Sequence, residues 1–302
     1  MPPDTTISVV IPLYNHEKFI DAALDSIMAQ TIAPCEIIIV DDGSTDGSFQ
    51  RVQARAQHDP RIIAWSHPNQ GAHATINAGL KRASGTYIAI LNSDDCYHPQ
   101  RFETCMQAMA QMPGTAAVCS ALTFLDAQGK PCRNTWYEEA LTFYRHEQDL
   151  ALALINGNFL MTTSNLFIRR AVFDEVGHFA NLRYAHDLDF FLRLLLHGQK
   201  IKLLEQPLLH YRIHAANTIS EGTLKVKQEW AAVVAFFAWQ IGAAEDWQYL
   251  ARLANITERH NLTRLLLFFF KYYQQQLPAD RLKVDSWQDD EAFRRFLAGA
   301  VR

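Results

Sequence analysis

Four short runs rich in Ile and Val break up the N-terminal part of this chain: "ISVVIPLYN" (Ile7–Asn15), "CEIIIV" (Cys35–Val40), "RIIAW" (Arg61–Trp65) and "TYIAIL" (Thr86–Leu91). They lack the apolar-polar alternation of a half-exposed strand, so they suit strands covered on both faces, as in parallel sheets. Between them the spacing turns helical. Phe19, Ile20, Ala23, Leu24, Ile27 and Met28 form one stripe, Ala74, Ile76, Ala78 and Leu80 another, and a polar helical segment precedes Arg61. Alternating strand and helix predicts an α/β unit with a mainly parallel central sheet flanked by helices. Three of the runs end in polar clusters: Tyr14 and Asn15, then Asp41 and Asp42, then Asn92 to Asp95. Open α/β sheets bind ligands beyond the carboxyl ends of their strands, so the three clusters predict one ligand pocket.

From Thr115 to Phe173 the pattern is less regular. "AAVCSALTFLD" and "MTTSNLFIRR" read as strands with a polar and helical stretch between them, and Asp187–His197 reads as a helix. After about Ser220 the chain reads as helical, which predicts a catalytic domain over 1–220 and a helical C-terminal region over 221–302. Two late stretches are strongly apolar: Trp230–Ala244, shorter than a membrane span and interrupted by Gln240, and Leu262–Tyr273, which carries Arg264 and Lys271. Buried helix is the reading for both, with peripheral membrane attachment as the alternative. The five cysteines are scattered with no C-x-x-C pair, which argues against a disulfide framework or a zinc site. The start has no basic segment followed by a long apolar one, so no signal peptide is read and a reduced, cytoplasmic protein is expected, with the inner membrane face as the alternative. A net charge of −4 argues against non-specific nucleic-acid binding. The sequence shows no internal repeat and does not specify an oligomeric state.

The strand-end clusters do not form a dinucleotide or P-loop cradle. "PLYNHEKF" follows the first strand, and neither G-x-G-x-x-G nor G-x-x-x-x-G-K occurs. A phosphate ligand would then need a cation. Mg²⁺ or Mn²⁺ suits one or two carboxylates plus phosphate oxygens, the chemistry that adjacent Asp94 and Asp95 offer. Taken singly, "NSDD" is also a turn with a helix cap before "PQRFETCMQAM", "DDGSTDGS" is a glycine turn, and Tyr14 is a packing residue. Their joint occurrence at successive strand ends favours a site.

With these stretches in place, the chain resembles the family 2 glycosyltransferases, inverting enzymes of the glycosyltransferase A-type, nucleotide-diphospho-sugar transferase fold. The resemblance rests on "SVVIPLYNHEKFIDAALDSIMAQT", "EIIIVDDGSTDGS", "NQGAHATINAGLKRASGTYIAILNSDD", "TSNLFIRRAVFDEVGHF" and "HDLDFFLRLLLHG", in the family's order over roughly residues 7–214. It implies a nucleotide-diphosphate sugar donor, a UDP-sugar first among them, and a glycan, lipid-linked or protein acceptor, as in polysaccharide biosynthesis. By position, Pro12 and Tyr14 belong to the nucleotide site, with Tyr14 packing on the base. Asp42 reaches the base and Asp41 supports the ribose or the turn. Asp95 is the principal metal ligand, and Asp94 contacts ribose or metal. Asn92 departs from the family, where Asp is frequent, and is not taken as a ligand.

An inverting transfer also needs a base for the acceptor hydroxyl. Asp187 and Asp189 are the candidates within "YAHDLDFFLRLLLHG". Leu188, Phe191, Leu192 and Leu195 mark a buried stripe, Asp189 has the spacing of a solvated ion pair with Arg193, and Asp187 could cap the helix. The resemblance selects Asp187, the match to the second residue of the family's Glu-Asp pair; His186 stands where Glu is usual. "LLHYRIHAANTIS" (Leu208–Ser220) resembles a family loop in which Arg212 or His214 approaches the diphosphate. The remaining histidines show no ligand spacing. Two rivals differ in their signatures. A sugar nucleotidyltransferase would carry a Gly- and Arg-rich loop after the first strand, and a non-catalytic nucleotide-sugar-binding or scaffold protein would not need Asp94, Asp95 and Asp187.

Overall fold

The computed structural model describes residues 5–215, 217, 223–242 and 246–276. The strands are β1 (Ile7–Leu13), β2 (Glu36–Asp41), β3 (Ile62–Ser66), β4 (Tyr87–Ile90), β5 (Cys96–Tyr97), β6 (Thr115–Leu125), β7 (Pro131–Cys132), β8 (Phe167–Arg169) and β9 (Lys200–Arg212). The helices are α1 (Ile20–Met28), α2 (Ser48–Ala56), α3 (Ala72–Arg82), α4 (Arg101–Gln111), α5 (Thr135–Glu147), α6 (Leu150–Asn156), α7 (Val172–Val176), α8 (His186–Leu196), α9 (Thr223–Gln240), α10 (Trp247–Arg259) and α11 (Thr263–Gln276).

The described strands form one sheet in the order β3-β2-β1-β4-β8-β6-β9-β5, with β7 beside β6. β1 pairs in parallel with β2 (Val9 opposite Ile37) and with β4 (Val9 opposite Ala89), and β2 pairs in parallel with β3. β4 and β8 are antiparallel, while the long β6–β9 pairing is parallel. Ile7, Val9, Val10 and Ile11 of β1 and Ile37 to Val40 of β2 are all buried, as continuous apolar runs require when both faces are covered. Pro12 follows the last bond to β4 (Leu91 N–H to Val10 carbonyl, 3.0 Å), so its missing N–H ends pairing on that side and leaves the β2 ladder intact. Gly79 lets α3 press onto the sheet, because a Cβ there would sit 2.5 Å from Val10 Cγ1.

Three expectations need correction. Of "MTTSNLFIRR", only Phe167–Arg169 is strand; Thr163–Asn165 is a single 3-10 turn, closed by the Thr162 hydroxyl accepting from the Ser164 N–H. The segment expected to be a loop from Leu208 is strand as far as Arg212. Leu262–Tyr273 is helical from Thr263 on but not buried throughout: Leu262, Leu266, Phe269 and Tyr273 are buried, while Leu267 and Phe268 are exposed. Ala231–Ala238 of the other apolar stretch is buried helix, as expected.

The chain divides into two compact units that interleave along the sequence. The first takes in residues to Arg133, Leu160–Glu175 and Gln199–His214, and so holds the sheet. The second takes in Asn134–Phe159, Val176–Gly198 and the residues from Ala215 on, and is helical in its described part. The expected boundary at 220/221 and residues 277–302 lie outside the described residues. No described helix is long and apolar enough to cross a membrane.

Candidate active site

Parallel β1, β2, β3 and β4 deliver their carboxyl ends to one edge of the first unit. Tyr14, just past β1, is 46% exposed, so its ring has a free face. The Asn15 side chain accepts from the Thr45 N–H (2.8 Å), and its own N–H donates to Ser44 Oγ (2.9 Å), which ties the β1 loop to the β2 loop. Asp41 and Asp42 are buried and already engaged. Asp41 accepts from the Ser66 hydroxyl (2.6 Å) and the Ser44 N–H (3.2 Å). Asp42 takes the Gln70 N–H (2.7 Å) on one oxygen and the Gly71 N–H (3.0 Å) on the other, with His67 3.5 Å away. This pair therefore shapes the loop between β3 and α3. Gly43 is required here: its φ is +72°, and a Cβ would lie 3.1 Å from Asn69 N.

The Asn92–Asp95 turn is anchored from Thr162–Asn165. Asn92 donates to Thr162 Oγ1 (2.8 Å) and accepts from the Thr163 hydroxyl (3.1 Å), a pairing that needs a neutral amide rather than a carboxylate. Asp95 is 1% exposed. It accepts from the Ser164 hydroxyl (2.6 Å) and the Arg212 N–H (3.0 Å). Burial, reinforced by the charge of Asp94, pushes its carboxyl well above the ordinary range. Asp94 shifts the other way. Burial would raise it, but the hydrogen bond from His214 and the charges of His214 and His16 outweigh that and hold it low. Asp94 and Asp95 cap no helix, since α4 has Gln100 at its N-cap.

His214 Nε2 lies 2.9 Å from one Asp94 oxygen, and His16 Nδ1 lies 4.0 Å from the other. His16, Asp94 and His214 thus bring three ligand atoms within 4.8 Å of one another. Phe19 packs against His214 at 4.7 Å between ring centres, with the planes tilted by 34°. An imidazole pair with a carboxylate fits a transition-metal dication better than Mg²⁺, which favours all-oxygen sites. His16 reaches this cluster from the end of β1, although no ligand spacing marks it in the sequence. The Arg212 guanidinium is spent inside the protein, with Nε donating to the Asp94 carbonyl (2.8 Å) and the plane over Phe19.

In the second unit, Asp187 lies in the first turn of α8 and is 9% exposed. One oxygen accepts from Asn158 Nδ2 (2.9 Å) and the other from the Leu188 N–H (2.7 Å). Burial raises its carboxyl to about 7, where a general base is effective. It does not cap α8, whose N-cap is Ala185. Asp189 and Arg193 are not a solvated pair: they meet at 2.8 Å in the interior, and Arg193 also donates to the Val176 and His178 carbonyls. The helix is buried from Asp187 through Leu194, all round rather than along one stripe. Burial drives His186 down to about 4, so the ring stays neutral and adds no charge beside Asp187. Glu229 of α9 accepts the N–H groups of Arg183 (3.0 Å), Tyr184 (2.6 Å) and Ala185 (3.1 Å), and so closes the start of α8. Neither Asn158 nor Glu229 carries a local signal in the sequence.

The family model described as Glycosyl transferase family 2 matches residues 8–177. The chain belongs to glycosyltransferase family 2. Among curated relatives, the uncharacterized glycosyltransferase alr2836 of Nostoc sp. is 31% identical over 218 residues, 70% of this chain and 66% of that protein. The uncharacterized glycosyltransferase EpsJ of Bacillus subtilis is 26% identical over 76% of this chain and 69% of that one. The chondroitin synthase of Pasteurella multocida is 30% identical over 70% of this chain, which spans only 21% of that protein. Among solved structures, Staphylococcus aureus TarS 1–349 in complex with UDP-GlcNAc superposes with a TM-score of 0.58 at 16% identity, over 90% of this chain and 92% of that one. That likeness supports the glycosyltransferase A-type fold expected for this family 2 member.

Proposed function

We propose that this chain is an inverting glycosyltransferase that moves a sugar from a nucleotide-diphosphate sugar to an acceptor hydroxyl with the help of a divalent cation. The observation that carries this reading is the buried Asp187, a carboxyl raised to about 7 and held by Asn158 in a family 2 chain. Asp187 serves as the base: as the acceptor oxygen attacks the anomeric carbon, its proton passes to the Asp187 carboxylate and the bond from that carbon to the diphosphate breaks. Attack from the side opposite the leaving group inverts the anomeric centre.

On the donor side, the free face of Tyr14 offers a stacking surface for a base, beside Pro12. Asp41 and Asp42 hold the loop that completes the nucleotide site. Asp94, with His214 and His16, would hold Mn²⁺ in preference to Mg²⁺, and Asp95 braces the turn beneath them. A bound dication would neutralise the diphosphate and make it a better leaving group. Arg212 positions the acidic turn through its own N–H and guanidinium. The donor is a UDP-sugar, by analogy with TarS and its UDP-GlcNAc complex. The synthases among the relatives favour a glycan acceptor and a role in polysaccharide synthesis.

A thermal-shift screen of nucleotides and nucleotide sugars, with and without Mn²⁺, tests the donor side. UDP and one or more UDP-sugars are expected to stabilise the protein, and more strongly with Mn²⁺. No response to any nucleotide in either condition would refute the reading.

A further inference from the structure

Helix α11 departs from the amphipathic rule on its outer side. Leu262 just before it and Leu266, Phe269 and Tyr273 within it are buried, which fixes its inward stripe. Tyr273 is tied down further by its hydroxyl, which donates to the Ala232 carbonyl of α9 at 3.1 Å. At 100° per residue, Arg264, Leu267, Phe268 and Lys271 fall on the opposite side. A solvated helix face should be polar there. Instead its centre is apolar, with Leu267 60% and Phe268 44% exposed, and a cation lies one turn away at each end. Thr263–Gln276 contains no acidic residue, although the whole chain carries a net charge of −4. The start of α9 has a similar composition, with Leu224, Lys225 and Lys227 exposed.

We propose that the outer face of α11 docks on an anionic phospholipid surface, with Leu267 and Phe268 entering the headgroup boundary and Arg264 and Lys271 meeting lipid phosphates. Charge complementarity selects this occupant: two cations flank an apolar centre with no acid between them, the pattern of helices that lie in a membrane interface. Length fits the same geometry. At 14 residues α11 measures about 21 Å, short of the roughly 30 Å hydrocarbon core, so it can lie on a bilayer and cannot cross it. The proposal goes beyond the transfer reaction and stands whether or not Asp187 is the base.

The test is flotation of the full chain with vesicles of phosphatidylglycerol mixed with phosphatidylcholine, against phosphatidylcholine alone. Binding to the anionic vesicles at least ~10-fold above the neutral ones is expected, falling as salt is raised. Arg264→Gln with Lys271→Gln should weaken anionic binding by roughly 10- to 30-fold. Leu267→Ser with Phe268→Ser should abolish it. All four side chains are exposed, so thermal unfolding and nucleotide binding should match the wild type and show that the variants are folded. Equal binding to both vesicles, no binding to either, or wild-type binding by both double variants would overturn the proposal. So would a concentration-dependent dimer, without vesicle binding, that Leu267→Ser with Phe268→Ser dissociates, because the face would then belong to a second copy of the chain.

Discussion

Replacing Asp187 with Asn should make the protein more stable while removing its activity. The Asp187 carboxyl sits near 7 in the fold, against an ordinary value of 3.8, and burial is the main cause. Between those two values the folded chain holds a proton that the unfolded chain has released. Stability therefore falls as pH rises across that window, by about 1.4 kcal/mol per pH unit, and levels off above 7. The gap is about three pH units, so the wild type bears a penalty of about 4 kcal/mol at pH 8. Asn is isosteric, needs no charge, and can keep both neighbours by accepting from the Leu188 N–H and donating to a reoriented Asn158 amide. The gain of the variant over the wild type should be small near pH 4, climb to pH 7 and then stay constant. With the usual scaling of unfolding entropy with chain length, 4 kcal/mol is about 6 °C in Tm. Calorimetry or dye-based melting of both proteins across this pH range measures it, alongside turnover of the nucleotide sugar found in the donor screen. A variant no more stable than the wild type at pH 8 would refute the raised carboxyl. A variant that still transfers sugar at the wild-type rate would refute the base.

Other perturbations separate the parts of the site. His214→Ala should abolish the extra stabilisation that Mn²⁺ gives in the presence of UDP, and His16→Ala should weaken it roughly 10-fold, as read by metal titration; unchanged titrations would remove the cluster around Asp94 from metal binding. Tyr14→Ala should raise the donor KM by roughly 10-fold with kcat nearly constant, the signature of a lost stacking surface. His186→Glu adds a second buried negative charge next to Asp187, so the acid limb of kcat/KM should move upward from about 7. Glu229→Ala leaves three N–H groups at the start of α8 without their carboxylate; it should lower Tm and reduce kcat while leaving the Mn²⁺ and UDP response of the first unit intact.

The parallel half of the sheet was legible because burial on both faces leaves a run such as "EIIIV" without polar interruption, and the strand-end acids followed from where such sheets bind ligands. β9 was harder to read. Its ladder with β6 shifts register around Ala121, where Pro207 pairs, and the exposed Glu205–Pro207 interrupts the strand pattern just before Leu208. The His16–Asp94–His214 cluster was illegible for a different reason: its members come from separate segments, with His214 lying 120 residues beyond Asp94, so no spacing marks them. Asn158 and Glu229 act through one hydrogen bond and three backbone N–H groups, which leave no pattern in the sequence. The exposure of Leu267 and Phe268 is not legible in the sequence, because an apolar helix segment does not reveal which of its faces meets solvent.

Four aspartates show how environment assigns roles to one functional group. Burial raises the Asp189 carboxyl as well, but Arg193 at 2.8 Å opposes that shift by its charge and hydrogen bond, and the pair fastens α8 to the Val176–His178 segment. Asp187 is also buried but faces only a neutral amide and backbone N–H groups, with no cation among the described residues, so its proton affinity rises into the range a base needs. Asp94 and Asp95 are adjacent and cannot both carry an uncompensated charge. The structure resolves their conflict asymmetrically: the two imidazoles face Asp94, which stays ionised, while Asp95, facing a serine hydroxyl and a backbone N–H, is driven toward its protonated form. The sequence presents the two as adjacent equivalents, and the family resemblance alone favours Asp95 as the ligand. The side chains around them favour the proposed assignment, with Asp94 as the carboxylate that meets a cation and Asp95 as its buried support.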